Sequence, residues 1–223
     1  NMMKDQEITF NGVAWDNTAA APSNLASVTW AFTVVIDNPQ LTNQTSIVRN
    51  LRTGQTISTS TISNADLSAI SRQAVSLVDQ SRQPVVEAGD LIEVNVGNSR
   101  WRYQLNQSEL ERAYVHLDLS QINSLPNQTQ LLQNYPNPFN PETWIPFDLA
   151  EDTEVTVTIY DVAGQKVRSL DMGWVMAGRH HSRSQSIYWD GRTEMGETVA
   201  SGVYFYQINT ANYSQTRRMV ILK

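Results

Sequence analysis

The chain has 223 residues, room for one large domain or two small ones, and with 40% hydrophobic and 17% charged residues it lies outside the composition of disordered chains. A net charge of -6 argues against a nucleic-acid-binding surface and against polybasic attachment to lipid, and the lack of cysteine excludes disulfides, thiol nucleophiles and cysteine-ligated metals. No run approaches the roughly 18 apolar residues that cross a bilayer, so no membrane insertion is expected. Asn1 to Asp5 lack the apolar stretch of a signal peptide, and an opening on Asn1 reads as a processed chain, compatible with export.

The first feature in chain order is Glu7-Ile-Thr-Phe-Asn11, which alternates and is followed by Val13 and Trp15. Such a segment can add as a strand to an open sheet edge of a neighbouring subunit, with Ile8, Phe10, Val13 and Trp15 as the inserting side chains. The small-residue stretch Asp16 to Asn24 then acts as a spacer. Alternation, the signature of sheets with one wet face, continues in Val28 to Ile36, Thr45 to Leu51, Gln55 to Ile62, Ala74 to Val78, Asp90 to Val96, Trp101 to Leu105 and Ala113 to Leu119. A helical turn is expected at Ser108 to Glu111, with Ser108 as cap.

Five of the eight prolines fall between Asn123 and Pro146, a composition that marks a domain boundary and excludes a central strand. Beyond it the clearest strand is Glu154 to Tyr160, which turns through Asp161-Val-Ala-Gly164 into Lys166 to Leu170. Ser186 to Trp189, Val203 to Ile208 and Thr216 to Leu222 follow. The prolines at 136, 138 and 141 predict a stiff, extended lead-in to this second unit. Asp190-Gly191 predicts a turn that sets the depth of Trp189, and Gly202 a sharp return into an aromatic strand.

Tyr135-Pro-Asn-Pro-Phe139, Tyr188-Trp-Asp-Gly191, Val199-Ala-Ser-Gly-Val-Tyr-Phe-Tyr206 and Arg218 to Lys223 stand in the order and spacing of a known family. From about 131 to 223 the chain resembles the C-terminal sorting domains of type IX secretion substrates, relatives of an immunoglobulin-like flagellar hook-capping domain. The resemblance implies an exported protein, at the outer surface of a bacterium or beyond it, whose last domain is read by an outer-membrane secretion machine. It carries over to Tyr135, Pro136, Asn137, Pro138, Phe139, Trp189, Asp190, Gly191, Gly202, Tyr204 and Lys223 as the motif residues. Val85 to Val96, with its Gly89-Asp90 turn, resembles bacterial immunoglobulin-like stalk modules.

The expected fold is therefore all-β: two immunoglobulin-like antiparallel β-sandwiches in tandem with an N-terminal strand-like arm. Residues 1–24 form the arm and spacer, 25–123 the first sandwich, 124–134 the linker and 135–223 the second sandwich.

No catalytic residue is assigned. No nucleophile elbow, phosphate loop or His-Glu-x-x-His occurs, and adjacent His180 and His181 on a strand would face opposite ways, so no metal site is assigned. The acidic groups around Asp148 to Glu154 and Asp190 to Glu197 read as solvated loops; calcium is the cofactor such loops would suit, without an EF-hand spacing. The expected function is a non-catalytic structural protein, a homo-oligomer or filament built by strand donation and served by the secretion machinery. Two other readings stand beside it: the spacer and secretion address of a larger exported enzyme, and a carbohydrate-binding module using Trp101 or Trp174.

Overall fold

The computed structural model describes residues 9–10, 13–14, 30–38, 44–59 and 71–223. Its elements are β1 (Thr9–Phe10), β2 (Val13–Ala14), β3 (Ala31–Asn38), β4 (Ser46–Asn50), β5 (Thr56–Thr59), β6 (Ser71–Val78), β7 (Leu91–Val96), β8 (Ser99–Gln104), α1 (Gln107–Arg112) and β9 (Tyr114–Asp118). The second half adds β10 (Gln130–Leu131), β11 (Thr143–Ile145), β12 (Phe147–Leu149), β13 (Thr153–Tyr160), β14 (Lys166–Val175), β15 (Gly178–His180), β16 (Ile187–Trp189), β17 (Gly202–Asn209) and β18 (Ser214–Ile221). Among the described residues the fold is all-β apart from the six-residue α1.

In the first half, the sheets β6-β3-β9 and β5-β4-β7-β8 press their inward faces together. Alternation decides which residues those are: β4 buries Ser46, Val48 and Asn50 and exposes Ile47 and Arg49. Phe32, Val34, Ile36, Leu77, Ile92, Val94 and Leu117 fill the core, each burial stabilising by about 1.5–3 kcal/mol relative to exposure. The expected antiparallel pattern has one exception. β3 pairs with β9 in parallel, Thr33 opposite Tyr114 through Asp37 opposite Asp118, because the first and last strands of this sandwich lie side by side.

The helix cap lies two residues before the expected one, at Asn106. Asn106 Oδ1 accepts from the Glu109 amide at 3.2 Å, and the Asn106 amide donates to Glu109 Oε2 at 2.9 Å, a reciprocal box that Ser108 cannot form from inside the turn. Earlier in the chain, Asp90 sits in the turn after Gly89. It accepts from Arg52 Nε at 2.6 Å, Asn50 Nδ2 at 2.8 Å and the Glu87 amide at 2.9 Å.

The second half packs β14-β13-β17-β18 against β10-β12-β15 and β11-β16. Val155, Val157, Ile159, Tyr206, Ile208, Met219 and Ile221 meet Leu131, Ile145, Phe147, Ile187 and Trp189. Leu131 is fully buried, so packing of this sandwich starts inside the stretch read as linker. β14 runs five residues past the expected Leu170, through a register shift that leaves Met172 between Asp171 and Gly173. The turn before it is as expected: Gly164 has φ +77°, and Asp161 Oδ1 accepts from the amides of Ala163 and Gln165 at 2.9 and 2.8 Å.

Of the arm, β1 and β2 pair with each other, Phe10 opposite Val13, while Ile8 and Trp15 lie outside the described residues. Residues 60–70, which hold the end of the expected strand Gln55 to Ile62, lie outside them too.

The Asp90 network makes acid stability predictable. Burial opposes the Asp90 charge, but the hydrogen bonds from Arg52, Asn50 and the Glu87 amide outweigh it and hold the carboxyl below its ordinary range. A depressed carboxyl contributes stability that is complete above the unfolded value of about 3.9 and is lost as pH falls toward the folded one. Resistance of the wild type to chemical denaturation should therefore fall below about pH 4. Asp90→Asn should cost about 1–3 kcal/mol at pH 7 and flatten that acid limb.

Candidate functional site

The motif residues converge on the end of β18. A sheet edge exposes unpaired amides and carbonyls, and here residues 131–139 lie along it. Arg217 Nε donates to the Leu131 carbonyl at 2.7 Å, Gln133 Nε2 to the Arg218 carbonyl at 3.2 Å, and the Val220 amide to Asn137 Oδ1 at 2.9 Å. Phe139 then makes two backbone bonds of 3.0 Å, its amide to the Val220 carbonyl and its carbonyl from the Leu222 amide. The proline segment is thus not an extended strand. It is a run of bends touching the sheets at single bridges, Tyr135 to Trp144 and Phe139 to Ile221, with the peptide bonds before Pro136, Pro138 and Pro141 cis.

The Phe139 ring enters the core against Trp189 at 5.6 Å between centroids, and Trp189 meets Tyr204 edge-on at 5.8 Å. Trp189 Nε1 donates to the Arg192 carbonyl at 2.9 Å, and Tyr204 Oη to the Ala200 carbonyl at 3.1 Å, so both polar ends of these buried rings are satisfied. Asp190 Oδ1 accepts from the Arg192 amide at 3.2 Å, which forms the expected turn. Gly191 has φ +69°, and a β-carbon there would stand 2.9 Å from the Pro141 carbonyl oxygen. Gly202 has φ +154°, a conformation that favours glycine, with nothing near its open side. Lys223 closes the motif, its amide donating to Ser201 Oγ at 3.0 Å and its ammonium to the Val199 carbonyl. Tyr135 parts from this group: its ring lies 6.2 Å from that of Trp144, away from the Phe139 cluster.

Sequence reading missed the polar hub under the motif. Asn134 is 2% exposed; its amide donates to Tyr206 Oη at 3.0 Å, and its Nδ2 donates to Thr143 Oγ1 at 2.9 Å and the Pro136 carbonyl at 3.1 Å. Tyr206 Oη donates on to the Leu132 carbonyl at 2.8 Å, and burial pushes its phenol up.

A second assembly joins the two sandwiches. Arg102 in β8 donates from Nη2 to Glu93 Oε2 at 3.0 Å and from Nη1 to Asp152 Oδ1 at 2.8 Å, 50 residues away in the other sandwich. Arg102 and Glu93 keep only 10% and 8% of their side-chain exposure. Burial opposes both charges of the crossing pair. The Ala177 amide and Arg102 nonetheless hold Asp152 low, while Asp152 and Glu93 hold Arg102 high. Arg100 reaches the Ala150 carbonyl and Arg179 the Ser124 carbonyl along the same seam.

The expected histidine geometry also changes. β15 ends at His180, which stacks on Phe147 at 4.6 Å, while His181 lies past the strand with Nε2 2.8 Å from Asp148 Oδ1. Among the described residues no three His, Asp or Glu side chains gather as a metal site. Trp101 packs partly buried against the first core, whereas Trp174 is 69% exposed.

Residues 142–214 match the FlgD Ig-like domain. The match lies within the second sandwich, from β11 through β17, so it covers the Trp189 turn and Tyr204 but starts after Phe139. Solved structures similar to the chain include dimeric latent PorU from Porphyromonas gingivalis, at 15% identity and TM-score 0.33 over 84% of this chain and 17% of that one. PorZ, a surface component of the type IX secretion system of the same organism, is similar at 14% identity and TM-score 0.30 over 74% of this chain and 28% of that one. A DUF3823 family protein from Bacteroides ovatus is similar at 8% identity and TM-score 0.30 over 86% of this chain and 98% of that one. The chain thus spans under a third of the length of the first two. No curated protein matches.

Two substitutions test this anatomy. Gly191→Ala in the FlgD-like sandwich forces a left-handed side chain against the Pro141 carbonyl and should cost about 1–3 kcal/mol in thermal or urea unfolding. Arg102→Ala strands a buried Glu93 and cuts the crossing ion pair, so it should destabilise by about 3 kcal/mol or more. It should also broaden the distribution of sizes seen by small-angle X-ray scattering, whereas a variant altered only at exposed Arg112 should not.

Proposed function

We propose that this chain is a non-catalytic structural segment of an exported bacterial protein, two immunoglobulin-like sandwiches coupled into a rod whose C-terminal sandwich serves as a sorting domain. The observation that carries the reading is the use made of the motif. Phe139, Asn137, Trp189, Gly191 and Tyr204 are spent on sealing the β18 edge and setting the core beneath it. Residues used in this way define a shape for a receptor to read. The Arg102 bridge supports the rod, because a shared buried cation resists rotation of one sandwich against the other.

In this reading the outer edge of β14 and the N-terminal segment with Ile8, Phe10, Val13 and Trp15 are complementary. One is a ten-residue strand paired on a single side among the described residues, and the other alternates in sequence. Strand donation between copies would be heterologous and would propagate as a filament.

Light scattering of the purified chain tests assembly. The full chain should show concentration-dependent growth in mass, and deletion of residues 1–16 should abolish it. Monomers for both at high concentration would remove the filament reading. For the sorting role, the second sandwich fused to a periplasmic reporter should direct the reporter to the surface of a host with the type IX machinery. Phe139→Ala should reduce surface signal by lowering the folded fraction, which a thermal melt of the same variant checks.

A further inference from the structure

Sheet pairing places three aromatic rings in one row on the outer face of the second sandwich. Trp144 in β11 stands directly opposite Tyr188 in β16, and on its other side opposite Tyr135 through a single bridge. Thr143, Ile145, Ile187 and Trp189 are buried, so alternation turns Trp144 and Tyr188 outward. Centroids are 6.2 Å apart for Tyr135 and Trp144, with 26° between planes, and 5.7 Å apart for Trp144 and Tyr188, with 47°. Both phenols are anchored: Tyr135 Oη donates to the His181 carbonyl and Tyr188 Oη to Glu142 Oε1, each at 2.9 Å. The Arg183 guanidinium lies 4.2 Å from the centre of the Trp144 ring. Tyr188 is 45% exposed.

We propose that this row is a binding platform for a neutral, β-linked polysaccharide chain. A chain of equatorially linked hexoses is a flat ribbon with apolar C–H faces, and such faces lie against aromatic rings. Rings held by their own hydroxyls lose little conformational freedom on binding. Charges of both signs lie around the row: Arg183 over Trp144, Glu142 at the Tyr188 phenol, and Asp190 near Tyr188 with Arg192 3.7 Å from Asp190. They supply donors and acceptors for sugar hydroxyls without selecting a charged polymer. The flank is hydroxyl and amide, with exposed Ser182, Ser184 and Gln185. An exposed cation–π contact is weak enough to exchange, so Arg183 leaves the Trp144 face as sugar arrives and donates to a hydroxyl. Trp174, although more exposed, has no ring stacked on it among the described residues and serves as the control.

The test is titration of the full chain with cellohexaose and mannohexaose, followed by tryptophan fluorescence, with dextran sulfate as the charged comparison. Binding of either hexaose is expected in the millimolar range or tighter. Tyr188→Ala and Arg183→Ala should each weaken it about tenfold, with Trp174→Ala unchanged. Both sensitive positions are exposed, and unchanged melting curves will show that folding is intact. No response to either hexaose up to about 10 mM overturns the proposal. So does undiminished binding in both variants, or a response to dextran sulfate alone, which would mark a polyanion site.

Discussion

The second sandwich depends on closure of the β18 edge. An eight-residue strand at the border of a four-stranded sheet presents a row of unpaired backbone groups, and water or another chain will take them if nothing else does. Gln133, Asn137 and Phe139 take several of them instead, the first two with side chains and the last with its backbone. Prolines suit this role because they offer no amide of their own to satisfy. The Phe139 ring then couples edge closure to the core through Trp189 and Tyr204, so one segment serves both.

The seam between sandwiches follows a different logic. Arg102 places a nearly buried cation between carboxylates from two domains, an arrangement whose desolvation cost is offset only while both partners are in place. Such a bridge contributes little net stability compared with an apolar contact of equal size. Its value is orientation, since loss of either partner leaves an unpaired charge.

Much of this was legible from residue order. Alternation in Val155, Val157 and Ile159 placed β13 within one residue of its observed start, and Asp161 with Gly164 announced its turn. The extension of β14 to Val175 was not legible, because the irregularity at Met172 breaks the period that signals a strand. The short strands β11 and β12 were hidden by the prolines around them, whose Pro146 sits between the two instead of inside either. Asn106 won the helix cap from Ser108 through a partner three residues on, a contest that local propensity leaves open. The Arg102–Asp152 pair spans 50 residues and a domain boundary, and no pattern within either strand announces it. Asn134 looked like part of a linker because its partners, Thr143 and Tyr206, become neighbours only after the sheets close.

That closure also bears on how the chain acquires its shape while it is being made. Gln133, Leu131 and Asn137 find their partners 85, 86 and 83 residues later, at Arg218, Arg217 and Val220. A ribosome works from one end, so the segment carrying Phe139 must wait, apolar side chains uncovered, until nearly all of the second half has emerged. With pairings this distant in sequence the search is slow. A translocation apparatus or chaperone that meets the nascent chain during that interval meets an unsealed sandwich, and only the finished one displays the surface described above.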